Sequence, residues 1–103
     1  MKLTPPPTAV FCYNNFVTLG ALLALKKLSK QIPKDIAIIG FDEVDWAEVL
    51  DPPLTVVSQP VYAIGATAGQ LIMQRLLNEG PKNKQKIVLK TELIIRKSCG
   101  FKA

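Results

Sequence analysis

The sequence predicts an α/β fold, and three observations lead there. Two short runs, "TAVFCY" (8–13) and "IAIIGF" (36–41), are almost wholly apolar or β-branched, the composition of strands covered on both faces in a parallel sheet. Between them lies a helical segment, "FVTLGALLALKKLSK", that starts behind an asparagine pair and ends in lysines. Strand, helix and strand in that order make a βαβ unit, whose crossover is right-handed in nearly all folds.

Taken in order, "PPP" at 5–7 can be neither helix interior nor central strand and reads as an extended lead-in. After the first strand, Asn14 or Asn15 is placed to cap the helix. In that helix Phe16, Leu19 and Leu23 step by three or four toward Lys26 and Lys27. A second apolar set is Val17, Gly20, Ala21, Ala24, Leu25 and Leu28. The helix is therefore greasy on more than one side, which fits either deep burial or a second subunit. "KQIPKD" is a turn, and the second strand follows. "VDWAEVL" has the makings of a short helix, stopped by "DPP". "LTVVSQ" (54–59) is a third strand. Pro60 suits the first turn of a long helix bearing Val61, Ile64, Ala68, Leu71, Ile72 and Leu76 on one side and ending at Gly80. "PKNKQ" is a loop, and "KIVLK" and "ELIIRKS" alternate like two short strands, for roughly five strands in all.

Composition excludes several functions. With 103 residues the chain makes one small domain at most. Its net charge of +5 is scattered over single lysines and pairs rather than gathered in a basic tract, so these residues read as solubilising. Without histidine there is no Ser-His-Asp triad and no histidine zinc site, and two cysteines cannot make a four-cysteine one. Cys12 and Cys99 read as free thiols of a reducing compartment. The prolines of "MKLTPPPTAVF" do not fit a signal peptide, and "FVTLGALLAL" is about half a membrane span, so the expectation is a cytoplasmic protein without a membrane partner. No glycine-rich phosphate loop is present, no nucleophile is nominated, and no cofactor is implied. A small enzyme built on the acidic cluster would lack both histidine and a phosphate loop.

Five carboxylates, Asp42, Glu43, Asp45, Glu48 and Asp51, crowd into residues 42–51. Val44 and Trp46 occupy alternate places where a calcium loop needs oxygen ligands, so no metal is expected. Asp42 differs from the rest because it follows the end of a buried strand, where ligands of open α/β sheets collect. Asn14 stands at the same place after the first strand. An amide that donates and accepts beside a carboxylate that only accepts suits a neutral, hydroxyl-rich ligand. Capping is the competing role for Asn14, and a solvated loop or cap for Asp42. Trp46, the lone tryptophan, has Val49 and Leu50 at helical spacing and is either a local staple or an interface anchor.

These residues together resemble the core of the bacterial LacI/GalR transcription regulators. The similarity lies in "AVFCYNNFVTLGALLAL", "IPKDIAIIGFDE", "PPLTVVSQP" and the closing "ELIIRKSCG", and runs from about Pro7 to Gly100. It implies a type I periplasmic-binding-protein-like fold: two α/β lobes around a small effector, often a sugar or nucleobase. This chain would be the C-terminal part, with parallel-sheet βαβ units and pieces of both lobes. Residues 8–58 would belong mostly to the C-terminal lobe, 59–90 would cross to the N-terminal lobe, and 91–100 would return. DNA would be read by a headpiece absent from this chain.

By the same resemblance Asn14 and Asp42 match effector-bonding positions, and Val61 one that packs against the effector. Leu19, Val49 and Leu50 match positions facing the partner of a homodimer, with Trp46 close by. Asn15 and Glu43 depart from the family's usual aspartates. The implied role is effector binding and dimerisation in a repressor rather than catalysis. The alternative is a periplasmic sugar-binding protein of a transporter, which shares the fold. Pieces of two lobes without their completing strands would leave sheet edges unpaired, so association of the isolated chain is expected.

Overall fold

Hydrogen bonding and burial in the computed structural model, which describes residues 3–79 and 84–101, follow the predicted strand–helix–strand order. The elements are β1 (Ala9–Cys12), α1 (Asn15–Lys27), β2 (Ala37–Phe41), β3 (Thr55–Ser58), α2 (Val61–Leu76) and β4 (Glu92–Ile94). They build an α/β arrangement with a four-stranded sheet, ordered β1-β2-β3-β4. β1 and β2 run parallel, with Ala9 opposite Ala37 and Cys12 opposite Gly40. β2 and β3 are also parallel, Ile39 pairing with Thr55.

The chain divides into two units, one made of residues up to Ser58 and from Leu93 onward, the other of Gln59–Glu92. The first unit holds the core: Cys12, Ile38, Ala47, Leu54 and Val56, with Val10, Ala21, Leu22, Val44, Trp46 and Leu50 packed around it. α1 lies on the sheet face carrying Cys12, Ile38 and Gly40. It buries Thr18 and Leu25 and half-buries Ala21 and Leu22, a stripe at helical spacing. Phe16, Leu19 and Leu23, which step at the same period, instead point to solvent. Threonine takes a core position because its Oγ1 donates to the Asn14 carbonyl at 2.8 Å, which removes the cost of burying a hydroxyl.

α1 approaches β2 closely at Gly40. A Cβ there would stand 3.1 Å from Thr18 Oγ1 and 3.4 Å from Leu54 Cδ2. The opposite sheet face, with Phe11 and Phe41 in an edge-to-face pair at 6.3 Å, is only partly covered, so the expectation of strands buried on both faces holds for one face alone.

In the second unit α2 follows Pro60, whose carbonyl accepts from Ile64 N at 2.8 Å, and it contains no buried residue. Ala63, Thr67, Leu71 and Gln74 are its half-buried positions. Residues 86–90, where the sequence predicted a strand "KIVLK", have no ladder partner. Gln85–Leu89 instead lie beside Ile64, Thr67, Ala68 and Leu71 and line a cavity of about 580 Å³. Among the described residues the sheet thus has four strands where roughly five were expected. Alternation shows only that a segment could pair as a strand, not that a ladder partner is present. The expected stop at Gly80 lies outside the described residues. "VDWAEVL" forms successive turns rather than a helix, closed by Ala47 N to Val44 O at 3.1 Å and Val49 N to Trp46 O at 3.2 Å.

Candidate effector site

Parallel pairing brings Asn14 and Asp42 to equivalent positions. The last pair of the β1–β2 ladder is Cys12 with Gly40, and each candidate stands two residues beyond it. Adjacent strands lie roughly 4.8 Å apart. Asn14 and Asp42 thus fall at equivalent places beyond two adjacent strands, at the carboxyl end of the sheet in the first unit.

Asn14 is the N-cap of α1, with its Oδ1 accepting from Val17 N at 2.8 Å. The capping role weighed in the sequence is real. The cap uses one lone pair of the Asn14 oxygen and does not involve the Nδ2 amide, which is a donor. Asp42 has a φ of 80°, in the left-handed region that aspartate tolerates better than most side chains. Its backbone N donates to Val57 O at 2.8 Å, tying the turn after β2 to β3. One residue on, the Glu43 carboxylate forms a two-pronged ion pair with Arg96. The Arg96 hydrogen bonds hold its carboxyl below the ordinary glutamate range, against the opposing effect of burial.

Arg96 and Ser98 lie in the closing "ELIIRKSCG" of the resemblance, but sequence reasoning assigned them no site role. The side chain of Arg96 is only 11% exposed. Its Nη1 also donates to Leu54 O at 2.8 Å, and its backbone N donates to Thr55 Oγ1 at 2.9 Å. Buried Ser98 donates through Oγ to Ile38 O at 2.7 Å and accepts from Thr55 N at 2.8 Å. An arginine and a serine closely spaced in "IIRKS" were the available signal, but nothing local says which strand they meet.

The other candidates are distributed. Val61 opens α2 in the second unit and is 72% exposed. Leu19 is 55% and Val49 80% exposed, whereas Trp46 and Leu50 pack partly against the core. The acidic cluster is not one site: Glu43 pairs with Arg96, and Glu48 approaches the same guanidinium only at 3.7 Å. Among the described residues no three potential metal ligands come together. The Cys12 thiol is buried and pushed up in pKa by that burial, which makes it a poor nucleophile. A cavity of about 630 Å³ in this unit is lined by Lys26, Gln31, Ile32, Leu50 and Pro52 among others. Those residues precede β2 and β3 or end α1, so it sits at the amino end of the sheet, away from Asn14 and Asp42.

Residues 1–99 match the model of the periplasmic binding protein-like domain. The chain belongs to that family. The resemblance to the LacI/GalR regulators also holds. The HTH-type transcriptional repressor CytR of Escherichia coli is 40% identical over 98 residues, which are 95% of this chain and 28% of that protein. The chain therefore spans less than a third of the length of this curated relative. The structure of the transcriptional regulator CelR–cellobiose complex superposes with a TM-score of 0.84 at 33% identity, covering 92% of this chain and 29% of that one. A LacI family transcriptional regulator from Enterococcus faecium with bound ribose gives 0.77 at 32% identity, over 88% of this chain and 34% of that one. All three relatives are transcriptional regulators. Among the described residues no helix is long and apolar enough to cross a membrane.

Proposed function

We propose that this chain is the effector-binding and dimerisation part of a DNA-binding transcriptional repressor, acting in the cytoplasm and without catalysis of its own. Its effector is a sugar or a related hydroxyl-rich small molecule. The observation that carries the reading is the equivalent placement of Asn14, an amide, and Asp42, a carboxylate, beyond the ends of two adjacent parallel strands. The sugars held by two similar regulators support the ligand class. Val61 packs against the effector from the segment after β3. The division of the chain at Ser58 and Leu93 supports a reading as pieces of two lobes, joined by β3 and the segment entering β4. A homodimer forms through Leu19, Val49 and Leu50, with Trp46 close by; Leu19 and Val49 are exposed, while Leu50 and Trp46 also pack partly against the core. DNA is contacted through a helix-turn-helix headpiece elsewhere in the parent protein.

The test uses the full-length parent. Operator affinity is measured with and without each of a panel of monosaccharides, disaccharides and nucleosides. One of these is expected to shift wild-type operator binding, and Asp42→Ala to lose that shift while keeping effector-free operator affinity. An unchanged effector affinity in Asp42→Ala refutes the role given to Asp42.

A further inference from the structure

We infer that Arg96 is a positioning residue for the effector turn, tying Asp42–Glu43 to both chain segments that connect the two units. The inference rests on the effector role of Asp42 proposed above. The Arg96 guanidinium grips Glu43 through two bonds, Nη1 to Oε1 at 3.1 Å and Nη2 to Oε2 at 2.5 Å. The same Nη1 reaches Leu54 O, and the Arg96 backbone N is held by Thr55 Oγ1. One residue thus joins the turn after β2 to the start of β3 and to the segment that carries Arg96. An exposed ion pair contributes little. This one is two-pronged, mostly buried on the arginine side and anchored on a backbone carbonyl, a set of contacts that suits the planar five-donor guanidinium and that a lysine cannot reproduce.

The position in the chain gives the grip its consequence. Asp42 N donates to Val57, one residue before β3 ends at Ser58, where the first unit gives way to the second. Arg96 follows closely on Leu93, where the chain re-enters the first unit. The dipeptide Asp42–Glu43 is therefore bonded to both connecting segments, through Val57 on one side and Arg96 on the other. Asp42 also holds a left-handed backbone, a conformation that persists only where the surroundings fix it. A ligand drawing on the Asp42 carboxylate pulls against both segments at once, so Arg96 sets both the aim of Asp42 and the transmission of occupancy to the connection between units.

The experiment uses the full-length parent and the sugar or nucleoside that shifts its operator binding. Glu43→Gln, Arg96→Lys and the double variant are compared with Asp42→Ala for effector affinity by calorimetry, operator affinity with and without effector, and thermal midpoint. Each single variant is expected to weaken effector binding by roughly tenfold and shrink the effector-dependent change in operator affinity. The double variant should be no weaker than the worse single one, since both break one link. Effector-free operator affinity stays as in wild type, which a merely structural role would not predict. Wild-type effector affinity in the Glu43 and Arg96 variants, beside a weakened Asp42→Ala, overturns this inference alone. Loss of effector-free operator binding in parallel with effector affinity also overturns it, reducing Arg96 to a stabilising contact. Wild-type affinity in Asp42→Ala overturns the effector reading and this inference together.

Discussion

The sheet unit and the α2 unit are both built from apolar-rich sequence and end up differently. β1, β2, β3 and the 44–54 turns share one buried core, and polar Thr18, Thr55 and Ser98 are buried with it. α2 repeats an apolar stripe through Val61, Ile64, Ala68 and Leu71, yet buries no residue fully. Apolar content sets how much surface could be buried, but a partner element on the correct side decides whether it is. In the first unit the parallel ladder supplies that partner, while in the second Gln85–Leu89 lie alongside and cover α2 only in part.

The largest effect that would sharpen this contrast is truncation of a core side chain. Ile38→Ala removes a fully buried branched chain and is expected to cost about 2–5 kcal/mol. Leu71→Ala, half-buried on α2, should cost about 1 kcal/mol or less in the same chain. Denaturant titration of both variants checks it, and equal losses would break the contrast. Glycine gives the next effect. Gly40→Ala forces a methyl against Thr18 and should destabilise by about 1–3 kcal/mol. Gly65→Ala in α2 meets nothing within 4 Å and should stabilise by about 0.5–1 kcal/mol through helix propensity. Opposite signs in thermal melts are the expected outcome.

These contrasts also show what the sequence could and could not carry. The strands at 9–12, 37–41 and 55–58 were legible because each is a short, mostly apolar or β-branched run, the composition that parallel strands favour. The place of Asn14 and Asp42 followed from strand ends alone. The buried side of α1 was not legible, because Thr18 looks polar until its hydroxyl finds the Asn14 carbonyl. Residues 86–90 alternate as a strand does, but alternation cannot say whether a ladder partner exists. Arg96 was hidden for the same reason at longer range: its partner Glu43 is 53 residues away, and no local pattern encodes that pairing.

A smaller effect separates two roles of one residue. Asn14→Ala removes the cap on Val17 and should cost about 1 kcal/mol of stability. Asn14→Asp keeps a capping oxygen and should leave the melting temperature within about 2 °C, given how little a cap-for-cap exchange changes. Because aspartate has no amide donor, it should still weaken the effector in the parent protein. A variant that melts like wild type and also binds effector like wild type would leave Asn14 a cap and nothing more.

The smallest effect is set by pH. Arg96 lowers the Glu43 pKa in the folded chain below its unfolded value. The sign follows from linkage: the unfolded state takes up a proton first, so the pair stabilises the fold above the ordinary glutamate pKa of about 4.3. That contribution disappears as pH falls through the lower folded value. Glu43 is about a third exposed, so solvent screening keeps the contribution small. The difference in stability between wild type and Glu43→Gln should therefore be constant from about pH 7 to about pH 5 and shrink toward about pH 3. Added salt should narrow it at neutral pH, since the pair is partly open to solvent. A difference that stays flat over the whole of that acid range would mean that the Arg96 grip does not form in solution, and the tie between Asp42–Glu43 and the re-entering segment would be lost with it.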